Sequence, residues 1–372
     1  MAALLSVLLG SCREIETIRE RFHAETAHEA YAHALVEAGL AATALGRDWI
    51  RAAERALSEP VAVTLPYRET GWLAPERPTA IAYRWTARRG QRLTIELDLA
   101  ADDSALVFLD LYQLYDDSAR DPRRLRSAEN GARRLEFEPR RDSEYLLRIQ
   151  PELLRGGRYT VTIVTTASLA FPVSGRGSRD IGSPFGAARD GGRRSHHGVD
   201  IFAPRGTPVI AASEGLVSRV AETPIGGKVV WLRDEIRGQS LYYAHLDSQA
   251  VEPGAHVSIG DTLGFVGNTG NARTTPPHLH FGIYRRGEGP VDPYPFVHRP
   301  DTSPPRLTVD PSAAGRWTRT TRDGVPVHRS PLDRAPVLLE LPVHTALRVE
   351  GASGGWFRVQ LPDGTAGFIP GR

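Results

Sequence analysis

Two histidines separated by a single residue lie in the apolar run Pro277–Tyr284, and this pair constrains the fold more than any other stretch. A short apolar run of this kind is typical of a half-buried β-strand. Because side chains alternate between the two faces of a strand, His278 and His280 should point to the same face. Two imidazoles on such a face are unfavourable unless they have partners. The pair therefore predicts a strand that borders a metal or reaction site, with further ligands supplied by other segments.

The N-terminal half predicts a helical segment followed by a β-sandwich. The chain has 372 residues with 36 glycines and 28 prolines, a composition typical of a multidomain, mainly β protein rich in turns. In residues 13–58 apolar side chains recur every three or four positions, which predicts helices with a break at Gly46 and an N-cap at Asp48. In residues 61–168 seven short runs, separated by turn residues, predict a β-sandwich without a catalytic constellation.

The C-terminal half is expected to contain a middle domain, a linker and a small terminal domain. The middle domain is predicted at residues 181–297, and a proline-rich linker at residues 298–312. Residues 313–372 contain short β runs and the segments Gly-Gly-Trp-Phe-Arg-Val and Asp-Gly-Thr-Ala-Gly-Phe-Ile, which resemble bacterial SH3-like domains. That resemblance implies a small β-barrel of a kind that either binds cell-wall peptides or packs against its neighbour.

Charge and cysteine content limit the partners of the chain. The formal net charge is +2 and the arginines are scattered among acidic residues, so we expect no nucleic-acid partner. The single cysteine, Cys12, excludes a disulfide within the chain and a cysteine-based zinc site. Residues 1–12 are apolar and small and end at this cysteine, and they resemble the signal segment and lipobox of bacterial lipoproteins. The resemblance implies export to the periplasm or cell envelope and lipidation of Cys12, the one membrane attachment that we expect.

Two further polar clusters lie upstream of the histidine pair. His196 and Asp200 are four residues apart, and Gly198 between them favours a turn entering a strand, which still brings both side chains together. Tyr243 and His245 should share one face of a second strand. His245 is thereby a candidate site residue, whereas Tyr243 could either give the site a hydrogen bond, supporting substrate or an oxyanion, or pack inside the domain, the more ordinary role of a strand tyrosine.

Together these motifs resemble one family. The segments His-x-Gly-x-Asp from His196, Tyr-x-His-Leu from Tyr243 and His-Leu-His-Phe from His278 occur in the order found in the lysostaphin/LytM family of zinc endopeptidases. The resemblance implies an antiparallel β-sheet peptidase core with one zinc ion per chain. It implies that zinc is bound by His196, Asp200 and His280, and that His245 and His278 lie beside the metal without binding it. One departure is Gly282, where the family often has glutamate.

The implied ligand set has the chemistry of a catalytic site. Two imidazoles and one carboxylate leave one position of a tetrahedral zinc ion open, as catalytic zinc sites do. A neutral histidine is suited to accept a proton near pH 7. We expect His278 to be the general base and His245 to stabilise the oxyanion, and the reverse assignment stays open.

The sequence therefore predicts a zinc-dependent endopeptidase that hydrolyses peptides of bacterial peptidoglycan, either stem peptides or cross-links. One alternative is a non-catalytic regulator of the same fold that activates other cell-wall hydrolases. Regulators of this type lack one or more metal residues, and this chain has the full set. A biotinyl or lipoyl carrier that uses Lys228, the single lysine, is a third hypothesis, but it leaves the histidines without a role.

Overall fold

The computed structural model describes residues 25–100, 105–115, 117, 120–129, 131–299 and 303–371. The signal-like segment with Cys12 and the first part of the predicted helical segment lie outside these residues. Within them the protein is mainly β, as predicted, and has three α-helices: α1 Ala27–Glu37, α2 Ala44–Ser58 and α3 Tyr294–Val297. None of the described helices is both long and apolar enough to span a membrane.

The helical segment breaks earlier than predicted. Helix α1 ends before Gly39, which has a left-handed φ of 71°, and Thr43 caps α2 by accepting a hydrogen bond from the Gly46 N–H at 3.1 Å. Gly46 therefore lies inside α2, and the predictions of a break there and of an N-cap at Asp48 are wrong. A Cβ on Gly46 would lie 2.2 Å from the Leu40 carbonyl oxygen, so the glycine reflects a close approach of the backbone between the helices.

The region predicted as a β-sandwich contains nine strands. These are β1 Val61–Ala62, β2 Tyr67–Leu73, β3 Ile81–Ala87, β4 Gln91–Ala100, β5 Val107–Gln113, β6 Arg123–Ser127, β7 Arg134–Phe137, β8 Ser143–Pro151 and β9 Gly157–Ala167. Strands β1, β3, β8, β5 and β6 form one sheet, and β2, β9, β4 and β7 lie in a second. Buried side chains of both sheets, such as Leu93 and Leu147, form one core. Strands β2 and β6 were not predicted, because Glu69 and Gly71 in β2 and the arginines of β6 obscure the apolar pattern.

The middle of the chain forms its own sheet and core. Its strands are β10 Ile181–Ser183, β11 Ala188–Arg189, β12 Arg194–Ser195, β13 Val199–Phe202, β14 Pro208–Ile210, β15 Gly215–Thr223, β16 Gly227–Asp234, β17 Gln239–Gln249, β18 His256–Val257, β19 Thr262–Val266, β20 His278–Arg285 and β21 Gly289–Val291. All except the β11–β12 hairpin belong to one ten-stranded sheet, called the middle sheet here, with the order β10-β13-β20-β17-β16-β15-β18 along its main path. Strand β20 therefore lies between β13 and β17, near the centre.

The C-terminal strands are β22 Trp317–Arg319, β23 Val325–His328, β24 Val337–Leu341, β25 Ala346–Ser353, β26 Trp356–Gln360 and β27 Ala366–Pro370. They do not form a detached sheet, because β25 pairs with β2 through Thr70–Ala352 and Gly71–Gly351. The C-terminal strands and the second sandwich sheet thus form one ten-stranded joint sheet. The likeness to an SH3-like barrel and the exact domain boundaries stay predictions.

Candidate metal centre

Strands β13 and β20 bring the central side chains of the site together. Asp200 lies directly opposite His280 in the antiparallel pair, so both side chains point to the same face of the middle sheet. Leu279 and Phe281 point to the other face and are fully buried in the core. His278 shares the face of His280, as the alternation of the strand predicts.

Three ligand atoms converge on this face. His196 Nε2 lies 2.9 Å from Asp200 Oδ1 and 2.9 Å from His280 Nδ1, and His280 Nδ1 lies 3.0 Å from the same carboxylate oxygen. A tetrahedral zinc ion with ligand bonds of about 2.0–2.2 Å separates its ligand atoms by about 3.3 Å. The triangle is close to that size, so these residues fit a small divalent metal ion. They are also the one such group of histidine, cysteine and acidic residues found among the described residues.

The surroundings fix the orientation of each of these three side chains. The Nδ1 atom of His196 lies 2.8 Å from the Pro184 carbonyl oxygen, which only accepts, so Nδ1 carries the hydrogen and the Nε2 lone pair is free for a metal. Arg189 donates to Asp200 Oδ2 at 2.6 Å, which leaves Oδ1 for the two histidines. Burial alone would raise the pKa of Asp200, but the close approach of His196 and His280 holds it well below its usual range.

Gly198 explains the glycine of the His-x-Gly-x-Asp segment. A Cβ at this position would lie 2.5 Å from the Phe281 carbonyl oxygen and 2.7 Å from His280 Nε2. The turn that carries His196 therefore packs directly against the His280 ring, and a side chain there would displace that ring. The sequence pattern thus records a steric requirement of the site.

His278 and His245 lie beside the three convergent residues. His278 Nε2 is 4.0 Å from Asp200 Oδ1, and the His245 ring centroid is 5.1 Å from that of His278. Each Nδ1 faces a carbonyl oxygen, Pro276 for His278 and Thr269 for His245, both at 2.9 Å, so each Nε2 is left without a hydrogen. Burial and the neighbouring His278 and His280 lower the pKa of His245 to about 4, which makes it a neutral imidazole at pH 7.

Of the two roles left open for Tyr243, the structure has the packed one, and Tyr243 does not support the site. Tyr243 is fully buried in the core of the middle domain, where its hydroxyl accepts a hydrogen bond from the Ala212 N–H at 3.0 Å. The prediction that Tyr243 and His245 share one strand face is wrong, because β17 contains a bulge, seen as a register shift between its pairs Val230–Tyr243 and Lys228–Leu246. His245 has a left-handed φ of 64° at this bulge, which returns its side chain to the site face. Tyr242, not Tyr243, shares that face.

An open cleft of about 560 Å³ surrounds the five residues. One wall is aromatic: the Trp231 and Tyr242 ring centroids are 4.4 Å apart, and those of Trp231 and Tyr284 are 5.1 Å apart. Arg189 and this wall were not predicted from the sequence. Tyr284 could have been predicted as part of the site, because it lies four residues beyond His280 on the same strand face. Trp231 and Tyr242 could not, because their positions depend on how β16, β17 and β20 are aligned in the sheet.

The antiparallel sheet and the convergent His–Asp–His set define a candidate metallohydrolase centre. Residues 194–293 match the model of Peptidase family M23, in agreement with the sequence resemblance.

Known relatives are similar to this part of the chain. The L-Ala--D-Glu endopeptidase of Bacillus subtilis is 39% identical over 139 residues, which are 34% of this chain and 42% of that relative. The peptidoglycan DD-endopeptidase ShyC of Vibrio cholerae is 36% identical over 94 residues, 25% of this chain and 21% of that relative. The chain thus spans less than half the length of either relative. The catalytic domain of lysostaphin from Staphylococcus simulans has 29% sequence identity and a TM-score of 0.27, with 35% of this chain and 91% of the lysostaphin domain covered.

Proposed function

We propose that the chain is a zinc-dependent endopeptidase that hydrolyses peptide bonds in bacterial cell-wall peptidoglycan. The observation that carries the proposal is the convergence of His196 Nε2, Asp200 Oδ1 and His280 Nδ1 at an open cleft within the segment that matches Peptidase family M23. The names of the relatives, an L-Ala--D-Glu endopeptidase and a peptidoglycan DD-endopeptidase, support this class of substrate. A substrate of this kind places the protein in the cell envelope or outside the cell, and lipidation of Cys12 would attach it to a membrane.

The donor set supports zinc as the metal. Two imidazoles and one carboxylate are a typical donor set for catalytic zinc, which would have a further position for water or substrate. Zinc bound by His196, Asp200 and His280 would supply Lewis-acid chemistry, lowering the pKa of a bound water and polarising the peptide carbonyl group. The contact from Arg189 to Oδ2 directs Oδ1 towards the metal position.

The two other histidines are positioned to move protons. Because Nε2 of both His278 and His245 lacks a hydrogen, each can accept a proton at the start of the reaction. His278 lies closer to Asp200 and is the proposed general base. The single N–H of neutral His245 is directed to the Thr269 carbonyl oxygen, so its Nε2 could donate to an oxyanion only after accepting a proton. The aromatic wall of Trp231, Tyr242 and Tyr284 offers an apolar surface for the peptide.

Metal content and hydrolysis of purified peptidoglycan test the proposal. We expect the wild-type protein to contain about one zinc ion per chain and to release soluble peptide fragments, detected by mass spectrometry. The His280→Ala variant should lose both, whereas His256→Ala, which changes an exposed histidine on β18, should retain both. A wild-type protein that binds no zinc and releases no fragments would contradict the proposal.

The same variant tests the regulator hypothesis, which the complete donor set does not favour. A His280→Ala protein that still increases hydrolysis by another wall hydrolase as strongly as the wild type would favour regulation over catalysis.

A further inference from the structure

A second cavity, of about 720 Å³, lies between the β-sandwich and the middle domain and is larger than the catalytic cleft. Its lining includes seven arginines and two glutamates. The sandwich strands and their connections contribute Arg92, Arg123, Arg126, Arg140 and Arg141. The middle domain contributes Arg237 and Arg285 from the opposite side. We call this the arginine cavity.

Three of the seven arginines form ion pairs with residues that the structure describes. Glu138 binds two of them: its carboxylate accepts from Arg92 at 3.0 Å and from Arg237 at 2.8 and 2.9 Å. Arg237 also pairs with Asp234 at 3.1 Å, and Arg285 pairs with Glu288 at 3.8 Å. Glu136, the other acidic residue, pairs with Arg134, which is not in the lining. The cavity therefore keeps an excess of positive charge.

Several guanidinium groups have only neutral partners or none. Arg123 and Arg141 contact the amide oxygen of Gln113 at 3.0 and 3.4 Å. Arg126 and Arg140 are exposed and form no ion pair with any residue that the structure describes. Such a concentration of unpaired cations is unfavourable without an anionic ligand or counterions.

Two further features point to a ligand. Burial and the positive charge of Arg89 and Arg140 lower the pKa of Arg285, although Glu288, which pairs with Arg89 and Arg285, acts in the opposite direction. Ser168 also lines the cavity, is 5% exposed, and has a buried hydroxyl group without a hydrogen-bond partner among the described residues. Unsatisfied buried hydroxyls are uncommon.

We propose that the arginine cavity binds a polymer that carries several phosphate groups. A carboxylate is planar and is best matched by one bidentate arginine, whereas a phosphate presents acceptor oxygens in several directions. Four arginines that have no acidic partner among the described residues line this one space, and they suit the second geometry. The volume is large enough for more than one phosphate, so a chain of phosphates fits better than a single ion. The proposal does not depend on the hydrolytic activity of the other cleft.

Calorimetric titration of the full chain with inorganic tripolyphosphate tests the site. The Arg126→Gln/Arg140→Gln variant removes two exposed charges from the cavity, and Arg51→Gln/Arg319→Gln removes two exposed charges elsewhere, on α2 and β22. We expect saturable binding by the wild type, an affinity at least about tenfold lower for the cavity variant, and a change below about twofold for the matched control, because a lost charge-assisted hydrogen bond weakens binding by about tenfold or more.

A tetraglutamate peptide serves as the carboxylate probe, and it should bind at least about tenfold more weakly than tripolyphosphate. Equal losses of affinity in the two variants would indicate a response to net charge alone and would overturn the proposal. Absence of saturable binding of tripolyphosphate, or tighter binding of tetraglutamate, would also overturn it. Unchanged thermal unfolding temperatures show that both variants are folded.

Discussion

Replacing Arg358 by methionine should strongly destabilise the joint sheet. Arg358 on β26 binds Glu69 on β2 through Nε to Oε2 at 3.0 Å and Nη2 to Oε1 at 2.9 Å. Glu69 is fully buried and also accepts hydrogen bonds from the hydroxyl groups of Tyr67, Tyr83 and Tyr159, each at 2.7 Å. Burial alone would raise the pKa of Glu69, but Arg358 and the hydroxyl groups lower it. The carboxylate is therefore charged in the folded protein, and Arg358 is its cationic partner.

The loss follows from leaving this carboxylate without a cation. Removing one partner of a buried ion pair reduces the free energy of unfolding by about 3–5 kcal/mol. With a denaturant slope of about 2 kcal/mol/M, the urea midpoint should fall by about 1.5–2.5 M. Tryptophan fluorescence during urea unfolding measures the change. The matched control is Arg134→Met, whose side chain is 58% exposed and whose ion pairs are screened by solvent, so its urea midpoint should hardly change.

A double variant separates the buried charge from simple loss of packing. If the uncompensated carboxylate causes the destabilisation, Glu69→Gln combined with Arg358→Met should be more stable than Arg358→Met alone, because a neutral amide is less unfavourable in this site. A midpoint for Arg358→Met within about 0.5 M of the wild type would refute the reasoning. A double variant less stable than the single variant would show that packing, rather than charge, dominates.

Three other results are expected. Gly198→Ala should lower zinc affinity about tenfold or more in chelator competition, because its Cβ would displace the His280 ring. The control Gly177→Ala, which has free space around its Cβ, should keep the wild-type zinc affinity. Equal zinc affinities of the two variants would contradict the steric argument. His278→Ala should keep its zinc in elemental analysis but lose about 10²–10⁴-fold in the rate of peptidoglycan hydrolysis, and an unchanged rate would exclude it as the base. The pKa of Glu69 is lower in the folded protein than in the unfolded chain, where it is about 4.3. Glu69 therefore contributes its full stabilisation above about pH 4.3, and this contribution is lost as the pH falls towards the pKa of Glu69 in the folded protein. Urea titrations between about pH 5 and pH 3 should thus show a steeper loss of stability for the wild type than for Glu69→Gln, and parallel losses would contradict this assignment.

The part of the site that could be predicted depends on regular local geometry. Alternation along β20 placed His278 and His280 on one face, and the structure has them there. The proximity of Asp200 and His196 was predicted from a short turn into a strand, and in the structure Asp200 Oδ1 lies 2.9 Å from His196 Nε2. In both cases the two residues are only a few positions apart in the sequence, so local backbone geometry is sufficient to predict that their side chains lie close together.

Predictions failed where geometry departs from regular periodicity or depends on distant residues. Alternation assigned Tyr243 and His245 to one face, but the bulge at His245 reversed this relation. The bulge has no signal in this sequence, because its left-handed position is occupied by His245 and not by the glycine that usually marks such a position. The pair of Glu69 and Arg358 joins residues that are 289 positions apart, and neither residue is distinguished by its local sequence.

The path of the chain explains why metal binding and the stability of the joint sheet should be separable. The middle domain lies between β9 and β22, and both of these strands belong to the joint sheet, so it is attached to that sheet at both ends. Direct ion pairs, including Arg237 with Glu138, add contacts between the two parts. The candidate metal ligands, however, come only from β20, β13 and the turn before β13, which belong to the middle sheet and have a core of their own. Loosening the joint sheet through Arg358 should therefore change the unfolding of the scaffold while leaving zinc affinity unaltered under native conditions.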